Sequence, residues 1–355
     1  MKKLYLVPLL LICSSAYSAT GITLYGIIEE GVLLTKGKHN SPTLQVKDAY
    51  DIGSRWGIKG VEEIGNGLKA GFDLEAGFHP DDGSISTGSS NAFGRESVLW
   101  LQSPTLGRLA IGRAATLGSG LGNYNMQTGY AFVNGYGLMS WDNCMNNFQR
   151  VNNALIYMSP DIAGWTLGLM YSNGINSDTQ KWSHNRHYWG LGLKYKQNSV
   201  QSSLIFEAEN KANYEVKNGI EIPTIPSSPR YTINYGFEYS TQNWTPMFAY
   251  RFVTQEGGVK AQKLVLSALI PYVGGRFKVG AAYMFGKDES ITTRNRSINH
   301  WQIGLGYEYS LSKRTTIKCA AAYAGSGKGW KENGFTSDGY AYNAWQTYIG
   351  MHHFF

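Results

Sequence analysis

Apolar and polar residues alternate with a period of two over long stretches of this chain. In residues 231–239, odd positions are apolar or aromatic and even positions are polar or glycine, and residues 301–309 repeat the alternation. Because successive side chains of a β-strand point to opposite faces, each stretch predicts a strand with one apolar and one polar face. Polar faces rich in Gly, Thr, Asn, Gln, Glu and Lys predict a closed transmembrane barrel with a wet interior.

Turn-forming residues divide the chain into sixteen predicted antiparallel strands. Their ranges are 22–34, 50–61, 67–78, 95–102, 107–115, 150–159, 164–172, 187–196, 199–208, 230–240, 243–252, 260–270, 274–285, 300–309, 314–323 and 344–355. Short and long connections alternate, which is typical of outer-membrane barrels. An open sheet edge in hydrocarbon would leave backbone groups unpaired, so we expect the first strand to pair with the last. Pro246 cannot donate to a ladder, so it is expected near a turn or at a bulge.

Aromatic residues stand near both ends of several predicted strands. The pairs are Trp165 with Tyr171, Trp189 with Tyr195, Tyr231 with Tyr239, and Trp301 with Tyr309. Their placement predicts two interfacial girdles around an apolar band. The general preference of aromatic residues for strands is the alternative explanation.

The N-terminus predicts a secretory leader. Lys2 and Lys3 precede a short apolar stretch, and small residues follow up to Ala19, so we expect a signal peptide over residues 1–18. Its apolar part is too short to span a bilayer. Residues 19–355 then form one barrel domain. No metal-ligand spacing or nucleotide-binding motif occurs in a convincing context, so we expect neither catalysis nor a cofactor.

Several segments, taken in order, resemble one known family. They are TLYGII from Thr23, SRWGIKGVEEIGNGLKAGFDLEAGF from Ser54, FGRES from Phe93, LGRLAIGR from Leu106, RVNNALIYMSPDIAGW from Arg150, LSKRT from Leu311 and YIGMHHFF from Tyr348. Together they resemble the Gram-negative general porins, particularly the betaproteobacterial and neisserial type. The resemblance implies a water-filled, homotrimeric barrel in the bacterial outer membrane, whose third long loop, residues 115–149, folds into the lumen as a constriction.

The same resemblance implies the partners of the chain. Its C-terminal Phe355 resembles the assembly signal that the outer-membrane assembly machinery reads. Lipid and lipopolysaccharide would surround the barrel, and small hydrophilic solutes would pass through it. No nucleic acid is expected to bind.

Porins of this type carry arginines on the wall that faces the inserted loop, and Arg55, Arg95 and Arg150 match those positions. A pore that discriminates by charge needs fixed charges at a narrow, partly dewatered point. Independently of the family, alternation sends Arg55 and Lys59 to the polar face, and it places Arg150 opposite the apolar face of its strand. Cations solvated at the loop ends are the alternative reading of each position.

Other cations are further candidates for the lumen, because an outward Arg or Lys at mid-membrane would cost about 2–4 kcal/mol. They are Arg113, Lys59, Lys69, Lys194, Lys263, Lys278 and Lys318. Residues 98–101, which follow Arg95, are apolar on both faces, as a strand at a subunit interface would be. In the third loop the only charged residue is Asp142, so we expect a weak to moderate anion preference.

Aromatic residues recur in the third loop, among them Tyr124, Tyr130, Tyr136 and Trp141. Their rings would pin the loop to the barrel wall. A stacking track for sugars or aromatic solutes is the functional alternative. The sequence therefore predicts a passive diffusion channel for small hydrophilic solutes. A substrate-specific channel for an oligosaccharide or organic anion and a surface adhesin remain as alternatives, whereas a barrel enzyme would need a nucleophile or acid/base cluster that is not visible.

Overall fold

The computed structural model describes residues 21–38, 40–86, 91–132, 139, 150–175, 178, 181–210, 214–217, 220–223, 228–290, 297–326 and 343–355. The predicted signal peptide lies outside these ranges. The described chain is built almost wholly from β-strands, with a short 3-10 helix at Trp182–His184. None of the helical segments in these ranges has the length and apolar character that a membrane-spanning helix needs.

Nineteen strands occur in the described residues. They are β1 Gly21–Lys36, β2 Thr43–Asp48, β3 Arg55–Gly65, β4 Leu68–Gly77, β5 Glu96–Ser103, β6 Gly107–Ala115, β7 Arg150–Met158, β8 Trp165–Ser172, β9 Tyr188–Gln197, β10 Val200–Glu209, β11 Tyr214–Lys217, β12 Ile220–Pro223, β13 Arg230–Tyr239, β14 Thr245–Gln255, β15 Val259–Tyr272, β16 Gly275–Asp288, β17 Ser297–Ser310, β18 Thr315–Ser326 and β19 Ala344–Phe354. All except β2, β11 and β12 form the barrel wall, and β11 pairs only with β12.

The barrel closes through antiparallel pairing of its first and last strands. Each wall strand pairs with its sequence neighbour, and β1 pairs with β19 in a register that sets Val32 opposite Ile349. Beyond β19, the backbone N–H of Phe355 donates to the carbonyl of Gly26 at 3.0 Å, and Gly26 donates back at 3.1 Å. Closure leaves the wall without an open edge. The predicted sixteen-stranded closed barrel is therefore confirmed.

Exposed apolar side chains alternate with buried polar side chains along the wall. On β10, Leu204 and Phe206 are exposed, whereas Ser203 and Glu207 are buried. We call the face that carries these buried side chains the inner face, because it points into the closed barrel. The outer face is apolar, as a wall in contact with lipid requires.

Short turns join the strands at one end of the barrel. Asn198 has a positive φ of 51° in the connection between β9 and β10, and Val273 and Gly274 have positive φ between β15 and β16. Pro246 is the second residue of β14 and lies opposite Ala268, so its expected position near a turn is correct. Aromatic pairs stand at both ends of β8 and β9, with Trp165 beside Tyr195 and Tyr171 beside Trp189.

The second predicted strand, residues 50–61, is wrong at its beginning. The chain first forms β2 along β1, then leaves the sheet over residues 49–54, and resumes with β3 at Arg55. We call residues 49–54 the strand break. It begins at Ala49, whose φ is 52°. The side chain of Glu29 replaces ladder hydrogen bonds in the break, since it accepts from the backbone N–H groups of Asp51 and Ile52.

Candidate functional site

Four arginines line one cavity on the inner face. The cavity has a volume of about 1430 Å³, and Glu75 and Glu96 also line it. We call Arg55, Arg95, Arg113 and Arg150 the arginine cluster. They come from β3, from the residue before β5, from β6 and from β7. The three arginines named by the resemblance and the further candidate Arg113 thus lie together.

Glu75 partly neutralises two members of the arginine cluster. Arg95 Nε donates to Glu75 Oε1 at 2.7 Å, and Arg55 Nε lies 3.4 Å from Glu75 Oε2. The Tyr25 hydroxyl also donates to Glu75 Oε2. One carboxylate therefore offsets part of two positive charges.

The other two arginines have neutral partners. Arg150 Nε donates to the carbonyl of Arg95 at 3.0 Å, and Arg113 Nε donates to the carbonyl of Gly94 at 2.7 Å. Arg113 also donates to the side-chain oxygen of Asn152. Among the described residues, neither guanidinium makes an ion pair with a carboxylate. The positive charge of Arg113 and Arg150 is accordingly the less compensated half of the cluster.

A bulge accounts for the position of Arg113. Leu109 and Ile111 point outward on β6, and strict alternation would send Arg113 the same way. The pairing of β6 with β7 instead shifts register between Gly112 and Ala114, and Gly112 has a φ of 139°. Bulges of this kind redirect a side chain. The sequence contains the glycine but no local signal that fixes the shift.

The remaining predicted residues are distributed differently. Lys59 is exposed on the inner face of β3, with its Nζ 5.3 Å from the ring centre of Tyr25, and it does not line the arginine cavity. Lys69 lies beside the turn after β3 and pairs with Glu63 at 2.9 Å. Lys263, Lys278 and Lys318 are buried on the inner face, whereas Lys194 is half-buried. Asp142, Tyr136 and Trp141 fall outside the described residues.

The residues that follow β6 contact the inner face over a long path, beginning at Gly118. Its backbone N–H donates to Glu207 Oε1 at 3.2 Å, and its carbonyl accepts from Arg251 Nη2 at 3.0 Å. Asn234 links these two side chains, since it donates to Glu207 Oε2 and accepts from Arg251 Nε. Tyr188 donates to the same Glu207 carboxylate at 2.6 Å. We call Tyr188, Glu207, Asn234 and Arg251 the anchor cluster.

Further along this segment, Met126, Thr128, Ala131, Phe132 and Met139 contact other strands of the barrel wall. The backbone N–H of Thr128 donates to Ser203 Oγ, and that of Ala131 donates to Ser267 Oγ at 3.0 Å. Wall glycines make room for side chains of this segment and, at Gly236, for its backbone. A Cβ would collide with Met126 at Gly168 and Gly192, with Thr128 at Gly236, with Phe132 at Gly280, and with Met139 at Gly304. Glycine on the inner face therefore allows this segment to approach the wall closely.

Both described tyrosines of the third loop, Tyr124 and Tyr130, pack against buried side chains. Tyr124 is buried in one cluster with Trp100, Leu117 and Met126. Tyr130 packs against a cluster of Ala249, Val265 and Ala282. That the rings pin the loop to the wall stays a prediction.

The fourth wall strand, β5, is apolar on both faces, and the two faces have different surroundings. Leu99 and Leu101 are exposed on the outer face. Val98 and Trp100 are buried on the inner face, where they cluster with Leu117. The Trp100 indole N–H donates to Asp73 Oδ2 at 2.8 Å, so its polar atom is satisfied. The inner apolar residues serve contact with the third loop.

Sequence reasoning named Lys278 and Lys318 as candidates for the lumen but missed the buried carboxylates Glu29 and Asp51. Lys318 Nζ donates to Glu29 Oε2 at 2.8 Å and to Asp51 Oδ2 at 2.5 Å, and all three side chains are almost inaccessible. Beside them, Lys278 pairs with Glu308 at 2.5 Å. Alternation does place Glu29 between the inner-face residues Ile27 and Leu33, which was an available signal. Nothing local to Asp51 indicates that it leaves the sheet.

Comparison with known proteins decides the family. A family model described as Gram-negative porin matches residues 6–329. The chain belongs to the Gram-negative porin family. This porin is similar to an outer membrane porin protein of Bordetella pertussis, with 26% identity over 91% of this chain and 94% of the relative. It is also similar to outer membrane porin protein 32 of Delftia acidovorans, with 25% identity over 89% and 87%.

Solved structures show the same fold. The barrel of this porin matches the anion-selective porin from Comamonas acidovorans with a TM-score of 0.67 and 23% identity, over 95% of this chain and 100% of the other. A trimer form of OmpT from Vibrio cholerae matches with a TM-score of 0.67, 12% identity and the same coverage. Porins are channels of the outer membrane rather than enzymes.

Proposed function

We propose that this porin is a passive diffusion channel for small hydrophilic solutes with a weak to moderate anion preference. The observation that carries the proposal is the arginine cluster, in which Arg113 and Arg150 have only neutral partners among the described residues. Fixed positive charge beside a water-accessible cavity lowers the energy of a passing anion and raises that of a cation. The carboxylate of Glu75 offsets part of the positive charge of the cluster and so keeps the anion preference modest.

We infer that residues 115–149 lie within the barrel and narrow the channel. Support comes from residues 116–132, whose hydrogen bonds go to the inner-face side chains Glu207, Arg251, Ser203 and Ser267. Gly120, Leu121, Gly122 and Asn123 line the same cavity as the arginine cluster. The channel would then run between this segment and the arginines. Lys59 and Asp142 would add charge on its two sides.

We further propose a homotrimer in contact with outer-membrane lipid and lipopolysaccharide. Exposed apolar side chains on β5 and β6 offer a face for a second copy, namely Leu99, Leu101, Leu109 and Ile111. A related barrel has been solved in a trimer form. The mass of the complex in detergent tests this directly. We also propose that the leader 1–18 is removed and that Phe355, which closes the seam on Gly26, is read by the assembly machinery.

Reversal potential across a planar bilayer in a salt gradient tests the channel proposal. We expect the wild-type protein to conduct with anions permeating faster than cations. The double variant Arg113→Gln, Arg150→Gln should lower the anion-to-cation permeability ratio by up to about fivefold for each charge removed, since a unit charge a few ångströms away contributes ~1 kcal/mol in a water-like medium. Lys69→Gln, at a turn outside the cavity, is the matched control. Clear cation preference in the wild type would refute the proposal.

A further inference from the structure

The strand break, residues 49–54, stands beside the arginine cluster. Ala49, Asp51, Ile52 and Gly53 line the same cavity as the four arginines. The carbonyl of Gly53 accepts from Arg55 Nη1 at 3.2 Å. A methyl group added at Gly53 would lie 3.0 Å from Arg95 Nη1. The break therefore hydrogen-bonds to Arg55 and lies beside Arg95, the two arginines that Glu75 also holds.

Glu29 holds the backbone of the break. Its two carboxylate oxygens accept from the N–H groups of Asp51 at 2.8 Å and Ile52 at 3.0 Å. Ser54 adds two hydrogen bonds, because its hydroxyl accepts from the Glu29 N–H and donates to the Glu29 carbonyl. We call Glu29 and the groups that bind it the clasp. The Glu29 side chain is fully buried. Hydrogen bonds to a buried carboxylate are strong, so the break has a defined position.

Two further contacts hold its side chains. Lys318 reaches from β18 to both Asp51 and Glu29. The ring of Tyr50 stacks on Tyr348 of β19, with centroids 4.3 Å apart and an interplanar angle of 15°. Tyr50 and Tyr348 belong to one buried cluster with Phe132 from the third loop. The break is thus tied to the wall and to the third loop at once.

We propose that the strand break is a second narrowing element of the channel, and that Glu29 and Lys318 are positioning residues that hold it beside Arg55 and Arg95. The inference rests on the channel function proposed above. Glu29, Asp51 and His352 could together approach a metal ion. Lys318 already supplies a positive charge to both carboxylates, so the geometry favours an internal clasp over a cation site.

Replacing Lys318 tests the clasp. Lys318→Met should let the break move away from the arginines, raising single-channel conductance roughly 1.5-fold and lowering the anion-to-cation permeability ratio. Lys318→Arg should restore both values, which a loss of general stability would not explain. Lys69→Met, which removes an exposed ion pair at a turn, should leave both unchanged. Wild-type conductance and permeability ratio in a folded Lys318→Met barrel would overturn the proposal.

A second variant keeps the inference testable if Lys318→Met does not fold. In a chain with Cys144→Ser and Cys319→Ser, Ala49→Cys should react with a charged methanethiosulfonate and the conductance should fall. Leu204→Cys, on the outer face, should show no such change. An unblocked Ala49→Cys channel after confirmed modification would overturn the second narrowing element. A wild-type protein that carries no current would instead overturn the channel function.

Discussion

Arg150 and Arg251 both point into the barrel from wall strands, yet their surroundings differ. Arg150 lines the open cavity and donates to a backbone carbonyl. Arg251 is completely inaccessible, and its guanidinium contacts Asn234 and the backbone of Gly118. The charge of an arginine that keeps contact with water can act on passing ions. The charge of a fully buried arginine is offset by the groups that hydrogen-bond to it. Inward direction alone therefore does not assign an arginine to ion selection.

The largest effect should follow from removing the buried arginine. Arg251→Met would leave the carbonyl of Gly118 and the side-chain oxygen of Asn234 without a donor. Each unsatisfied buried group costs about 1–3 kcal/mol, so we expect a loss of about 2–6 kcal/mol of unfolding free energy. Urea titration of the detergent-solubilised barrel, followed by circular dichroism, measures it.

The control for this change is Arg276→Met. The Arg276 side chain is half exposed and pairs with Glu308. Its removal should change the unfolding free energy by less than ~1 kcal/mol, because exposed pairs contribute little. Equal losses in both variants would remove the distinction between the two kinds of arginine.

A smaller effect should follow from removing the carboxylate that pairs with two of the cavity-lining arginines. Glu75→Gln removes the charge that offsets Arg55 and Arg95. We expect the anion-to-cation permeability ratio to rise, by up to about fivefold, because one nearby charge contributes ~1 kcal/mol in a water-like medium. Reversal potentials in a salt gradient measure the ratio. Glu63→Gln, at the turn beside Lys69, should not change it, and a fall in the Glu75→Gln ratio would contradict the assignment.

The smallest effect is expected from salt alone. The Debye length shrinks from about 30 Å at 0.01 M to about 3 Å at 1 M, so the field of the open arginines should be screened. The anion preference of the wild-type channel should decline steadily across this range. Reversal potentials at fixed gradient and rising mean concentration follow the decline. A preference independent of salt would indicate direct anion binding instead of a screened field.

Much of the barrel could be predicted because the alternation of apolar and polar residues along each strand is a local pattern. Alternation gave sixteen ranges that all overlap wall strands, and Pro246 lies at the strand end that its missing N–H requires. Arg55 and Lys59 lie on the inner face as alternation predicts. Each of these inferences needs only neighbouring residues.

Long-range contacts set the limits of that prediction. Arg113 turns inward through a register shift against β7, and the strand break depends on Glu29 and Lys318, which are far from it in sequence. The anchor cluster joins Gly118 to residues on β9, β10, β13 and β14. A single sequence shows that these residues are present, but it does not show which of them contact each other. The roles of Asp142, Tyr136 and Trp141 remain predictions, since they fall outside the described residues.

The seam between β1 and β19 also affects how the chain folds into a closed barrel. The hydroxyl of Tyr348 donates to Glu29, and the two residues are 319 positions apart. Contacts between such distant parts of a chain form late and slowly. Until they form, rows of leucine and isoleucine and two unpaired strand edges face water, which favours aggregation. We therefore expect the unclosed chain to depend on a chaperone during its passage to the membrane.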